Sequence, residues 1–187
     1  MYGLVNLAIE GLVKSNYDDE TWVKICDEAG ANAHDGFIGM DQYPDSVTYD
    51  LVAAAAKVLD TPAEDLLEAF GSYWIEYTAK QGYGDLLDMS GDTLEEFLEN
   101  LDELHARVMM TFSNLQPPSF QVEHVDDSTV TLHYLTERPG LAPMVRGLLK
   151  GLASRFDTTI EIELTESRSE GADHDVFTVR SLAGVSE

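Results

Sequence analysis

Two groups of residues in this sequence could act together on one ligand. The first is His105, which falls four residues after Leu101 in a run where Phe97, Leu98, Leu101, Leu104, Val108 and Met109 repeat at helical spacing. That spacing aims an imidazole at the protein interior. Burying the ring without a partner costs on the order of 1 to 3 kcal/mol, so it must either satisfy a hydrogen bond within the core or ligate a metal. The second group is Tyr134, Thr136 and Arg138. Alternation along a strand would put two hydroxyls and a guanidinium on one face, across roughly 13 Å at about 3.3 Å per residue. Such a row is either a solvated polar face or a clasp for carboxylates, because arginine offers a planar bidentate fork and the hydroxyls donate to the remaining oxygens. Together with an interior histidine, it fits a ligand that is apolar and metal-bearing at its centre and anionic along one edge.

Two kinds of element must position these groups. From residue 2 to about residue 112 the apolar residues recur mostly at helical spacing, and from Phe120 onward much of the pattern alternates with a period of two. Leu4, Val5, Ala8, Ile9, Leu12 and Val13 share one face of a first helix. Thr21 is the expected cap of a second, which runs to Ala29 and stops at Gly30, and Thr48 to Leu59 makes a third. Thr61-Pro62-Ala63-Glu64 combines a capping residue, a first-turn proline and a reciprocal acid, and so starts a fourth helix that turns Leu66, Leu67, Phe70 and Trp74 inward. Gly82 and Gly84 break the pattern, and Asp92 with Glu95 opens the helix that bears His105 and runs to about Met110. Beyond Pro117-Pro118, alternation at Phe120, Val122 and His124 and at Val130, Leu132 and Tyr134 gives a hairpin turned at Asp126-Asp127-Ser128. A helix over Leu141 to Leu152 and strands at Thr159 to Thr165 and Val176 to Ser181 follow. The fold class is therefore α+β. An N-terminal helical subdomain, about residues 1–60, packs on a C-terminal subdomain, about 61–182, with an antiparallel sheet and helices, in a single domain over 1–187.

Composition removes several classes of function. Lysine and arginine number 11 against 35 aspartates and glutamates, a formal charge of −24 that repels phosphate backbones and anionic lipid surfaces. Nucleic acid and membranes are thus not expected partners, and any docking protein should be neutral or basic. The amphipathic N-terminus has no basic start or cleavage site, and no apolar run approaches the roughly 20 residues of a membrane span, so a cytoplasmic location is expected. Cys26 is the only cysteine, which precludes an internal disulfide or a cysteine-built zinc cluster.

A ligand with an apolar, metal-bearing centre and an anionic edge has the shape of haem. The motifs agree: MYGLVN, TYDLVAAAAKVL, NLDELHARV, Pro117-Pro118 and HYLTERPGL occur in an order that resembles the haem nitric oxide/oxygen-binding (H-NOX) family, which includes the haem domain of soluble guanylate cyclase. The resemblance runs from Met1 to about Arg180, with Thr136 standing where the family's Tyr-x-Ser-x-Arg pattern has serine. It implies haem b buried between the subdomains, His105 as axial iron ligand, and Tyr134, Thr136 and Arg138 on the propionates. It further implies that Asp45 pairs with Arg138 from the other subdomain and that Pro118 presses on the haem.

The family resemblance also bears on which gas binds. A ferrous haem with one imidazole keeps an open axial position, and the polarity of the facing pocket selects the diatomic. Oxygen-binding relatives supply a tyrosine from the helix after the arginine motif, but Leu141 to Leu152 contains no Tyr, His, Asn or Gln. Trp74 and Met144 match distal positions of relatives that do not bind oxygen, and Val5 and Leu149 are apolar neighbours. The resemblance thus implies binding of NO and CO with O2 largely excluded. NO would weaken or break the bond to His105, freeing its helix and letting the N-terminal helices shift, with Gly71 either a hinge or a close packing point. No cyclase, kinase or coiled-coil segment precedes Glu187. Output would therefore pass to a separate protein such as a histidine kinase or a cyclic-di-nucleotide enzyme, and no enzymatic activity is expected of the chain. Relatives with a cysteine zinc site carry a ligand where Pro139 stands, so no zinc is expected. Two rivals are an iron-free small-ligand module, in which His105 is a core residue, and a haem peroxidase, which would need a distal acid–base pair.

Overall fold

The first helical face forms as spaced, over Gly3–Asn16 (α1), with Ala8, Ile9 and Val13 buried. The computed structural model describes residues 1–31 and 36–182, so the last five residues of the expected 1–187 unit lie outside the described residues. The second helix, Asp19–Ala29 (α2), is capped by Asp18 and not by Thr21. The Asp18 carboxylate accepts from the Thr21 amide at 2.7 Å, since a short side chain one position before the helix reaches its third amide. Gly30 ends it in the left-handed region at φ +67°, as glycine does without strain. Cys26 is fully buried in this helix, and burial pushes its thiol up to about 11.

The third helix, Asp45–Leu59 (α3), begins three residues before Thr48, directly after Pro44, and so carries Asp45 in its first turn, where helix polarity favours an acid. Ala63–Thr78 (α4) starts without a side-chain cap, because the Thr61 hydroxyl donates back to the Leu59 carbonyl. A wide turn over Ala79–Tyr83, with Gly82 at φ +93°, leads to the short helix Gly84–Asp88 (α5). The single helix expected from Asp92 to Met110 is two, Leu94–Glu99 (α6) and Leu101–Met109 (α7). Thr93 caps α6 one residue later than expected, accepting from the Glu96 amide while the Glu96 carboxylate accepts from the Asp92 amide. Asn100 interrupts the run by donating its side-chain amide to the Ser90 carbonyl, a local bond that competes with the helix. Met109 is exposed and drops out of the apolar stripe.

The hairpin Ser119–Asp126 (β1) and Thr129–Leu135 (β2) turns where expected, with Asp126 accepting from the Ser128 amide. Ala142–Arg155 (α8), Thr159–Glu166 (β3) and Asp175–Leu182 (β4) complete an antiparallel sheet of order β1-β2-β4-β3. Its inner face carries Phe120, Leu132, Tyr134, Phe177 and Val179 into a core shared with α6, α7 and α8. Full burial of rings such as Phe97 and Phe177 stabilises by about 1.5 to 3 kcal/mol each. A second core joins α1, α2 and α3 around Ile9, Ile25 and Leu51.

The fourth helix serves both cores, giving Phe70 to the second and Ile75 to the first. It lies against α8 with backbones in contact. A Cβ at Gly71 would run into the Met144 carbonyl, and one at Gly147 into the Glu68 carbonyl. Gly71 is therefore a close packing point.

Candidate functional site

Between the two cores lies a cavity of about 310 Å³, lined mainly by apolar side chains from α1, α3, α4, α7, α8 and the segment before β1. His105 sits in its wall, one turn beyond the buried Leu101 and next to the buried Leu104. Its helix is fixed to the sheet by Asp102, whose carboxylate accepts from the Ser119 hydroxyl at 2.6 Å and the Phe120 amide at 2.8 Å. The His105 ring lies 6.0 Å from that of Phe120, which lies 5.2 Å from that of Tyr134, its cross-strand partner in the β1–β2 register.

Burial holds His105 below the ordinary imidazole range, against smaller upward pulls from the Asp102 charge and the Pro118 backbone carbonyl. The ring is therefore neutral at neutral pH. Its Nδ1 is buried without a hydrogen-bond partner, a group that costs on the order of 1 to 3 kcal/mol to leave unmatched. The neutral ring keeps a lone pair for a metal.

Arginine 138 is held from two sides. Its Nε donates to Asp45 at 2.7 Å and its Nη1 to the Gln116 carbonyl at 2.7 Å. Asp45, which also accepts from the Met1 ammonium, is lifted by burial, yet these two cations bring its carboxyl below the usual carboxylate range. The helical half is thus tied to the turn after β2 and to the segment before Pro117-Pro118. The expected strand row is corrected here. β2 ends at Leu135, because the Thr136 hydroxyl accepts from the Arg138 amide and the ladder stops. Only Tyr134 is a strand residue, but Tyr134, Thr136 and Arg138 all line the cavity. Burial pushes the Tyr134 phenol up to about 12, leaving it a neutral donor.

Of the other expected site residues, Pro118, Trp74, Met144 and Val5 line the cavity. Leu149 does not. It is fully buried in the sheet-side core, and Leu148 takes the cavity position, one residue being about 100° of helix rotation. The four-residue step from Met144 to Leu148 carried that signal. Other lining residues were missed: Tyr49, Thr78, Tyr83 and Gln116, which come together only in three dimensions, and Phe120, legible by counting outward from the hairpin turn.

The donor set fits haem: one neutral imidazole with a buried, unmatched nitrogen, an apolar cavity, and an oriented guanidinium with two hydroxyls at one edge. Comparison with known proteins agrees. Residues 2–164 match the family model described as Haem-NO-binding. The chain is similar to soluble guanylate cyclase gcy-32 of Caenorhabditis elegans, 32% identical over 195 residues that cover 98% of this chain and 28% of that protein. It is also similar to soluble guanylate cyclase gcy-35 of the same animal, 30% identical over 97% of this chain and 28% of that protein. It thus spans little more than a quarter of those relatives' length. In fold it resembles an H-NOX protein from S. oneidensis solved in the Fe(II)NO state, with TM-score 0.89 at 22% identity over 98% of this chain and 100% of that one. The unliganded Fe(II) H-NOX protein from K. algicida gives TM-score 0.86 at 19% identity, covering 99% and 98%. With this motif set, cavity and span of matched residues, the chain belongs to the Haem-NO-binding family, a haem-based gas-sensor family related to the soluble guanylate cyclases.

Proposed function

We propose that this chain senses NO and CO through haem b held by His105, largely excludes O2, and signals to a separate effector protein without catalysing a reaction itself. The observation that carries this reading is the neutral His105 in the wall of an apolar cavity, with its buried Nδ1 unmatched. Bound ferrous haem would supply the iron that captures a diatomic gas, with His105 the residue that would hold it. Tyr134, Thr136 and Arg138 would hold its carboxylates, with Asp45 and the Gln116 carbonyl aiming the guanidinium. Trp74, Met144 and Val5 would shape the gas pocket.

Three of the cavity's hydroxyls support exclusion of O2, which needs a hydrogen-bond donor. Tyr49 donates its hydroxyl proton to the Pro139 carbonyl and Thr78 donates to the Trp74 carbonyl. Thr48 donates to the buried Asn6. None of these hydroxyl protons is left for a gas ligand. Signalling follows from connectivity. His105 would hold the metal from α7, which Asp102 ties to Ser119 and Phe120 at the start of β1, so a displacement of this helix would be passed to the sheet and to the segment before it. The segment after α7 carries Gln116 and Pro118, and through Arg138 it reaches Asp45 on α3. Effector identity is a matter of surface chemistry, and the charge of −24 favours a neutral or basic docking face.

Absorption spectra test the reading. Protein made with ample haem should show an intense Soret band that shifts when NO is added to the ferrous form. His105→Gly should lose haem or require added imidazole to keep it. Colourless wild-type protein would support the iron-free module, and an unchanged spectrum in His105→Gly would remove His105 as ligand.

A further inference from the structure

The residue Trp74 lines the cavity, and on the same face of α4 its ring stacks on that of Tyr77 at 6.3 Å and 28°. Tyr77 in turn lies 5.7 Å from Tyr73, and neither tyrosine lines the cavity. Indole and phenol are the aromatic side chains most easily oxidised by one electron, whereas a phenylalanine ring is not oxidised under the same conditions. The other cavity tyrosines lead nowhere by this criterion: Tyr49 donates to the Pro139 carbonyl and stacks on no ring among the described residues. Tyr2 and Tyr83 both abut Phe112, and Tyr134 abuts Phe120. On the opposite side of Trp74 the neighbour is Phe70. Among the described residues a single run of oxidisable rings therefore leaves the cavity, and it follows one helix face through steps of three and four residues.

We propose that Trp74, Tyr77 and Tyr73 form an oxidation path that draws oxidising equivalents out of the haem cavity, with Tyr73 as the terminal radical site. The proposal rests on the haem reading above. The co-reactant is a hydroperoxide meeting bound ferric haem. Tyr73 and Tyr77 each lose one electron and one proton, and these two electrons and two protons reduce one hydrogen peroxide to two waters, leaving two phenoxyl radicals. Trp74 relays each electron and is restored.

The outer end is built to hold a phenol. Gly11 on α1 has no side chain, and a Cβ there would stand 2.7 Å from the Tyr73 hydroxyl. Burial raises the pKa of both phenols, reinforced by the Glu76 charge at Tyr73 and by Tyr73 and Glu10 at Tyr77, so both are protonated before oxidation. Both rings are half-buried, so the phenol proton passes to solvent as the electron leaves. Oxidation in the pocket would thereby be diverted from the haem and from His105 to the side of the protein where α1 meets α4.

The experiment uses the haem-loaded full chain in the ferric form, treated with one equivalent of hydrogen peroxide and a nitroso spin trap, then digested for mass spectrometry. The expected result is an adduct on Tyr73, with the second radical of each peroxide trapped on Tyr77. Tyr77→Phe should abolish the Tyr73 adduct with the Soret band unchanged, and Tyr73→Phe should leave only the adduct on Tyr77. The double variant should bleach several-fold faster. Adducts confined to Tyr2, Tyr49, Tyr83 or Tyr134, no adduct at all, or wild-type labelling of Tyr73 in Tyr77→Phe would each overturn the path. Labelling of Tyr73 in haem-free protein would overturn it as well. Absence of a Soret band before peroxide is added is the separate failure of the haem reading, and the path falls with it.

Discussion

At the scale of single residues, the site is defined by how each polar group is matched. His105 is left unmatched at Nδ1, whereas Arg138 has partners on both sides. The Asp45–Arg138 pair has a definite pH signature. Asp45 has its carboxyl lowered from an ordinary 3.8, so its contribution is present above that value and is lost as pH falls through the lowered one. Asp45→Asn should cost about 1 kcal/mol or less at neutral pH, since the carboxylate is 38% exposed and solvent screens the pair. Denaturant midpoints of wild type and variant, measured down through pH 3.8, should converge. His105 was legible in the sequence because a histidine in an apolar helical stripe has only two outcomes. Gln116 was not, because its carbonyl matters only once the turn after β2 folds back upon it.

At the scale of elements, the break at Asn100 separates α7 from α6, so the helix that carries His105 is only nine residues long and is held chiefly through its neighbours. One such hold is His124 on β1, whose ring nitrogens meet Glu99 at 2.6 Å and Glu95 at 2.8 Å on α6. The Glu99 hydrogen bond, and less so Glu95, raises its pKa above 6.5 against slight desolvation. Its stabilisation is complete below 6.5 and is lost as pH rises through the raised value. The melting temperature should therefore decline across that range in wild type and be flatter in His124→Gln, as a thermal series would record. The α4–α8 contact makes a steric prediction. Gly147→Ala drives a methyl into the Glu68 carbonyl and should destabilise by about 1 to 3 kcal/mol, read from urea unfolding. If its stability matched wild type, the two helices would not be in backbone contact.

At the scale of the whole molecule, the cavity exists because two cores meet without fusing, with α4 shared between them. A ligand bound there would touch both halves, because α1 and α3 line the cavity as well as α7 and α8. Gas selectivity belongs to this scale, because it depends on the donors of every wall, among them the Trp74 indole and the Tyr2 and Tyr83 hydroxyls. Ferrous protein exposed to air should form no stable oxygen complex yet bind CO and NO on titration, followed by the Soret band. A persistent oxygen spectrum would mean that the Trp74 indole N–H, or another donor, reaches the gas.

Periodicity alone determined the order of helices and strands, the hairpin turn and the inward aim of His105, because these depend on spacing along a chain whose repeat is known. Tertiary structure decided the rest. It set which of two adjacent leucines, Leu148 or Leu149, faces the cavity, where β2 ends, where the His105 helix breaks, and which hydroxyl protons are already engaged. Each of those outcomes turns on a partner distant in sequence, and no spacing rule reports the energy of a hydrogen bond whose acceptor has yet to arrive.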